Sequence, residues 1–221
     1  MMELPMRVKN AVSGMGCRSL RWLAAICALA LLGGCASVLP PPPPAENVYL
    51  LEAVAPLATA NISPRRDFVI EVGMPRVRPG FDTAQMVWVR KEHGLEVYAR
   101  NRWVDTPAHM LAPLLAQALQ HSGAFKAVVQ SPSPVAARLR LETEIVRLQQ
   151  DFTVQPSRVQ FTLSARLVDL GTRQVLASTE FDETKAATSE DAYGGVKAAN
   201  QALERLLVKL TEFCVTHAPT P

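Results

Sequence analysis

Cysteine and histidine are too few and too scattered here to carry much chemistry. Of four cysteines, Cys17 and Cys27 fall in the first 34 residues, Cys35 follows directly, and Cys214 stands alone in the body. One thiol closes no intramolecular disulfide, so the body must fold without covalent staples. Cys214 lies on the apolar side of an expected helix, which reads as a buried inert thiol rather than a nucleophile. The four histidines, His93, His109, His121 and His217, share no metal-ligand spacing and read as surface residues. No serine sits in a nucleophile elbow. Gly194-Gly195 opens a helix instead of a phosphate loop. Arg65-Arg66 precedes a strand and reads as a solvated flank, with contact to phosphate headgroups as the alternative. No catalytic residues, cofactor or metal site are therefore expected. The formal charge of +3 belongs to the leader, where Arg7, Lys9, Arg18 and Arg21 outweigh Glu3; the remainder holds 19 basic and 19 acidic residues. That balance gives no argument for nucleic-acid binding.

What is present begins with Leu32-Gly33-Gly34-Cys35. Upstream, Arg18 and Arg21 precede an almost unbroken apolar run from Trp22 to Leu32. Arginine, apolar core, small residues and cysteine, in that order, make a lipoprotein signal peptide. The run is shorter than the ~20 residues that cross a bilayer as a helix. Cleavage between Gly34 and Cys35 would leave Cys35 to carry S-diacylglycerol on its sulfur and a third acyl chain on its freed amino group. Ala36 follows, where an aspartate would be the usual inner-membrane retention signal, so outer-membrane sorting is expected. Pro40 to Pro44 then form a polyproline II rod, roughly 15 Å of stiff standoff at ~3.1 Å per residue. A spacer is the reading favoured by the adjacent anchor; a docking ligand for an aromatic groove is the alternative.

The rest reads as strands and two principal helices. Tyr49 to Leu51 and Phe68 to Val72 are strands, followed by a loop from Met74 to Asp82. Met86 to Arg90 and Leu95 to Ala99 form a hairpin across Lys91-Glu92-His93-Gly94. Thr106 caps and Pro107 opens a helix that Gly123 ends. Ala124 to Val129 is a short strand. Arg138 to Glu144 alternates cleanly, and Val159 to Leu167 gives the strongest strand, one face buried and one wet. Leu170 to Arg173 turns it into Val175 to Phe181. The closing helix has Ser189 as its expected cap, with Glu190 and Asp191 near the positive end of its dipole. Its stripe of Val196, Ala199, Leu203, Leu206, Leu207, Leu210 and Phe213 reads as core, with a partner-binding face as the alternative. The fold class is α+β: a mixed, mainly antiparallel sheet packed against two principal helices. The expected divisions are a signal peptide over 1–34, an anchor and proline-rich spacer over 35–47, a domain over 48–215, and a disordered tail over 216–221.

The order of these marks carries a resemblance: the lipobox cysteine, the proline spacer, Tyr49-Leu50-Leu51 opening the domain, the tract Asn101-Arg102-Trp103-Val104-Asp105 before an amphipathic helix, and a closing strand pair and long helix. Over roughly residues 48 to 214 the chain resembles the ABC-type transport auxiliary lipoproteins, the group that includes PqiC. The resemblance implies a non-catalytic accessory on the periplasmic face of the outer membrane. Its implied partners are the membrane, through the anchor, and an MCE-domain protein of an ABC lipid transporter; a homo-oligomer is also in view. It offers no catalytic residue, so Cys35 is the one assigned position. An assembly or structural lipoprotein for an outer-membrane barrel, as in lipopolysaccharide assembly, is the competing reading.

Overall fold

The computed structural model describes residues 45–52 and 65–220, so the leader, Cys35 and the proline run lie outside the described residues. In chain order the elements are β1 (Asn47–Tyr49), β2 (Arg66–Val72), β3 (Arg76–Val77), β4 (Gln85–Val89), β5 (Glu96–Trp103), α1 (Pro107–His121), β6 (Phe125–Gln130), β7 (Leu139–Asp151), β8 (Arg158–Asp169), β9 (Gln174–Ala186) and α2 (Ala192–His217). The class is α+β, as the residue patterns predict.

One mixed sheet holds the strands together, and β7 is its axis. Along one edge β7 pairs antiparallel with β8 over its full length, and β8 pairs antiparallel with β9. Along the other edge three short strands lie against it in succession, all parallel. They are β2 at Leu139–Leu141, β3 at Glu144–Ile145 and β4 at Gln150–Asp151. The sheet thus divides into two arms beyond β7. One arm continues from β2 to β6, and the other from β4 through β5 to β1.

The 74–82 segment, expected as a loop, contains β3. Its cause is the open edge of β7 between β2 and β4. Gly73 donates to the Leu141 carbonyl at 2.9 Å and Arg78 to the Ile145 carbonyl at 2.9 Å, so the segment satisfies amides that would otherwise stay unpaired. The first strand is Asn47–Tyr49, displaced toward the N-terminus from Tyr49–Leu51, because its register against β5 ends at Tyr49↔Trp103. β7 and β9 both run past the expected ends. A bulge between Ile145 and Arg147 reverses the alternation within β7, which hides its second half from a period-two pattern.

Both helices lie against the sheet and touch each other, α1 on β6 and β2 and α2 on β8 and β9. The α2 stripe is buried throughout; Leu203, Leu206, Leu207 and Leu210 have 0% exposure. The core reading of this stripe therefore holds. Phe181 of β9 meets Phe213 of α2 edge-on at 5.9 Å. Helix α2 extends to His217 and Ala218 is buried, so the first residues of the expected tail belong to the packed body.

The helix ends differ in part from expectation. Thr106 occupies the N-cap of α1 without a side-chain cap bond. Asp105 takes up the Thr106 amide instead, at 2.6 Å. At α2 the cap is Asp191, whose carboxylate accepts from the Gly194 amide at 2.7 Å. Ser189 supports it, donating its hydroxyl to Asp191 at 2.8 Å. Gly123 ends α1 with φ +67°, the left-handed conformation glycine tolerates best.

Candidate functional site

Alternation along β7, β8 and β9 gives the sheet two unlike faces. Leu141, Ile145, Leu163 and Leu167 point under the helices and are fully buried. Their neighbours in sequence point the other way and form a polar face. Register places Arg140, Glu142 and Glu144 of β7 across from Val168, Arg166 and Ser164 of β8.

Ion pairs order this face. Arg140 donates through Nε and an Nη to Glu71 at 3.1 and 2.9 Å. Arg158 holds Asp151 at 3.1 Å, and Arg166 and Arg78 lie 3.7 and 3.9 Å from Glu142 and Glu144. Burial alone would raise the Asp151 carboxyl. The Thr153 hydroxyl and amide, with Arg158, outweigh it and hold the group below the usual carboxylate range. Thr162, buried on the same face, donates to Asp182 at 2.6 Å.

The β4–β5 hairpin overhangs one end of the face. Its turn closes with the Gly94 amide on the Lys91 carbonyl at 3.1 Å, and His93 takes φ +63°. Between this turn and the second half of β7 lies a groove of about 770 Å³, lined by Val89, Glu92, His93, Leu95, Arg147 and Gln149 among others.

A polar chain, buried at Gln150 and Ser157, fixes the hairpin. The Tyr98 hydroxyl donates to Gln150 Oε1 at 2.9 Å, and Gln150 Nε2 donates to Ser157 Oγ at 3.0 Å. The Ser157 amide donates to Glu190 Oε1 at 2.9 Å. Burial, followed by the charges of Asp191 and Glu190, raises the Tyr98 phenol well above its usual range, so it remains a neutral donor. Trp88 packs on Tyr98 and Phe152 with centroids 6.1 and 5.9 Å away, and the Arg90 guanidinium lies 4.7 Å over Trp88. Gly194-Gly195 has its role here. A Cβ on Gly195 would fall 2.1 Å from Gln150 Oε1, and one on Gly194 would fall 2.1 Å from the Ser189 carbonyl. The pair lets α2 start against the sheet.

Cys35 and Gly34 lie outside the described residues. Cys214 is fully buried and desolvation pushes its thiol up to about 12. That environment suppresses the reactive thiolate, as its apolar setting predicts. The histidines stay apart: His93 lines the groove, His109 sits 3.2 Å from Asp105, His121 ends α1, and His217 is 2.9 Å from the Phe213 carbonyl. Among the described residues no group of three or more His, Cys, Asp or Glu is placed to hold a metal. Arg65 is exposed, as a solvated flank would be, but Arg66 is buried. Arg65 donates to the carbonyls of Phe125 and Lys126 at 3.2 and 2.6 Å, while Arg66 is buried and donates to the Val215 carbonyl. The two guanidinium groups tie β2 to β6 and to the end of α2. Among the described residues no helix is long and apolar enough to cross a membrane.

The sequence profile described as "ABC-type transport auxiliary lipoprotein component" matches residues 49–210. The chain belongs to this family. The fold of this chain is shared with proteins of known structure. A Xanthomonas campestris protein of the DUF330 family superposes with a TM-score of 0.69 at 21% identity, covering 77% of this chain and 96% of its own. A second, uncharacterised protein superposes at 0.60 with 13% identity, covering 76% of this chain and 98% of its own. No curated protein matches the chain.

Proposed function

We propose that this auxiliary lipoprotein is a non-catalytic subunit anchored through Cys35 to the periplasmic face of the outer membrane. It would dock an MCE-domain protein of an ABC system that moves lipid between the two membranes. The observation that carries this reading is the family match over 49–210, beginning shortly after the Leu32–Cys35 stretch and the proline run. Residues 1–34 would be removed, 35–47 would form anchor and spacer, and the sheet-and-helix body would be the docking unit. Three acyl chains, at ~0.8 kcal/mol per buried methylene, hold such a body at the surface without a spanning helix. Tethering confines it to a thin layer and raises its effective concentration at a mate without new contacts.

The test is crosslinking in intact cells, comparing the wild type with Cys35→Ala exported to the periplasm. The expected result is palmitate label and a strong crosslink to the MCE protein for wild type, with no label and a weaker crosslink for the variant. Equal crosslinks remove the tethering argument, and none in either form removes the partner. Label persisting in the variant removes Cys35 as the anchor.

A further inference from the structure

On the polar face, Arg140, Arg158, Arg166 and Arg78 each have a carboxylate within 4 Å. Among the described residues Arg147, in the middle of β7 and half-buried, has none. Its recorded polar contact is a weak one to Gln160 Oε1 at 3.5 Å, an oxygen that Gln149 Nε2 already engages at 3.0 Å. Two carboxylates near it are committed elsewhere. Asp151 is held by Arg158 and Thr153, and Glu144 lies beside Arg78. A guanidinium presents five donors in a fixed fork that fits a carboxylate or phosphate. Here it lines the large groove under the β4–β5 turn, beside the amide of Gln149 and the apolar side chains of Leu95, half exposed, and Val89.

We propose that this groove binds an anionic amphiphile. Arg147 receives its carboxylate or phosphate head, Gln149 supplies a further donor, and Leu95 and Val89 cover the adjoining apolar part. The groove is large enough for a headgroup with a short chain, and the polar chain through Tyr98 and Gln150 keeps its overhanging wall in place. Asp151 and Glu92 also line the groove; Asp151 is paired with Arg158, whereas Glu92 is exposed and has no such partner among the described residues. It opposes an incoming anion, so its removal should strengthen binding. The inference is independent of the transport role.

Isothermal titration of the full lipoprotein in a neutral maltoside detergent, with the micelle blank subtracted, tests it with hexyl phosphate, hexanoate and inorganic phosphate. Hexyl phosphate is expected to bind saturably. Arg147→Gln should weaken it about tenfold or more, the scale of one charge-assisted hydrogen-bonded contact. Leu95→Ser should weaken it several-fold, Glu92→Gln should tighten it, and Arg166→Gln should leave it unchanged. Hexanoate binding alongside hexyl phosphate would show that either headgroup is accepted. Undiminished binding by Arg147→Gln, with circular dichroism showing a native fold, overturns the site. Inorganic phosphate binding as tightly as hexyl phosphate overturns the amphiphile assignment.

Discussion

The two faces of the β7–β8–β9 ladder are made from alternate residues of the same strands, yet different forces hold them. Under α2 most side chains are aliphatic or aromatic, and removal of apolar area from water stabilises them without regard to direction. On the polar face the side chains are paired by charge and hydrogen bond, with Arg78, Arg140, Arg158 and Arg166 each set against a particular carboxylate. A helix that covers a sheet asks only for shape and apolarity. A face left to solvent keeps its order through pairing, and pairing leaves a readable trace when one member has no carboxylate among the described residues, as with Arg147. Substitutions on the two faces should therefore differ sharply in cost.

The largest effect is expected under the helix. Leu206 is fully buried among the sheet side chains. Leu206→Asp places a carboxylate there without a partner, at a cost of about 4 kcal/mol, a large part of the ~5–15 kcal/mol available to a domain. Thermal melting followed by circular dichroism should show the transition lost or lowered by roughly 8–16 °C. A native melting curve would mean the stripe is not core.

Next comes the start of α2, where the two faces are fixed in relation to one another. Gly194→Ala forces a Cβ against the Ser189 backbone, whose atoms cannot swing aside as a side chain would. A loss of roughly 2 kcal/mol is expected, within the usual range for a backbone clash at a packed site. The same place has a pH signature. The Gly194 amide, followed by the Ser189 hydroxyl, lowers the Asp191 carboxyl below its ordinary value of 3.8. A depressed folded-state value means the cap's contribution is present above pH 3.8 and is lost as pH falls through the lower folded value. Asp191→Asn should flatten that part of the acid limb of stability, measured by urea unfolding between pH 5 and 2.5.

How much of this was legible follows from which residues kept a regular period. Val159 to Leu167 alternate without interruption, and β8 is found where they stand. The α2 stripe holds its helical spacing from Val196 to Phe213, and every member is buried. Only the first half of β7 is legible, because Ile145 and Val146 are both buried across a bulge and the period fails at the residue before Arg147. β9 was read short because as an edge strand it is mostly exposed and its apolar residues lose their rhythm. The groove was not legible. It joins the hairpin turn to the far half of β7, and nothing local links Leu95 to Arg147. Gly194-Gly195 was visible as a pair, but its reason lies in Gln150 and Ser189, which only packing brings near.

A polar-face pair with a buried member should cost less than either change above. Arg140 and Glu71 are 39% and 9% exposed at their side chains. Arg140→Gln leaves the Glu71 carboxylate short of its charged donor, and about 1–2 kcal/mol is expected, since Arg140 itself is partly wet. Urea unfolding should register a shift in midpoint without a change in slope.

The smallest effect sharpens the contrast within the polar face. Arg166 and Glu142 lie 3.7 Å apart with side chains 47% and 38% exposed. Water solvates both groups whether or not they meet, and holding two long side chains in one geometry costs entropy that offsets the attraction. Arg166→Gln should therefore change stability by less than about 0.5 kcal/mol, and by still less in high salt. If it instead costs as much as Arg140→Gln, the face acts as one coupled charge network in which exposure no longer sets the cost. A double-mutant cycle of Arg166→Gln with Arg140→Gln separates the two cases, because independent pairs add and a network does not.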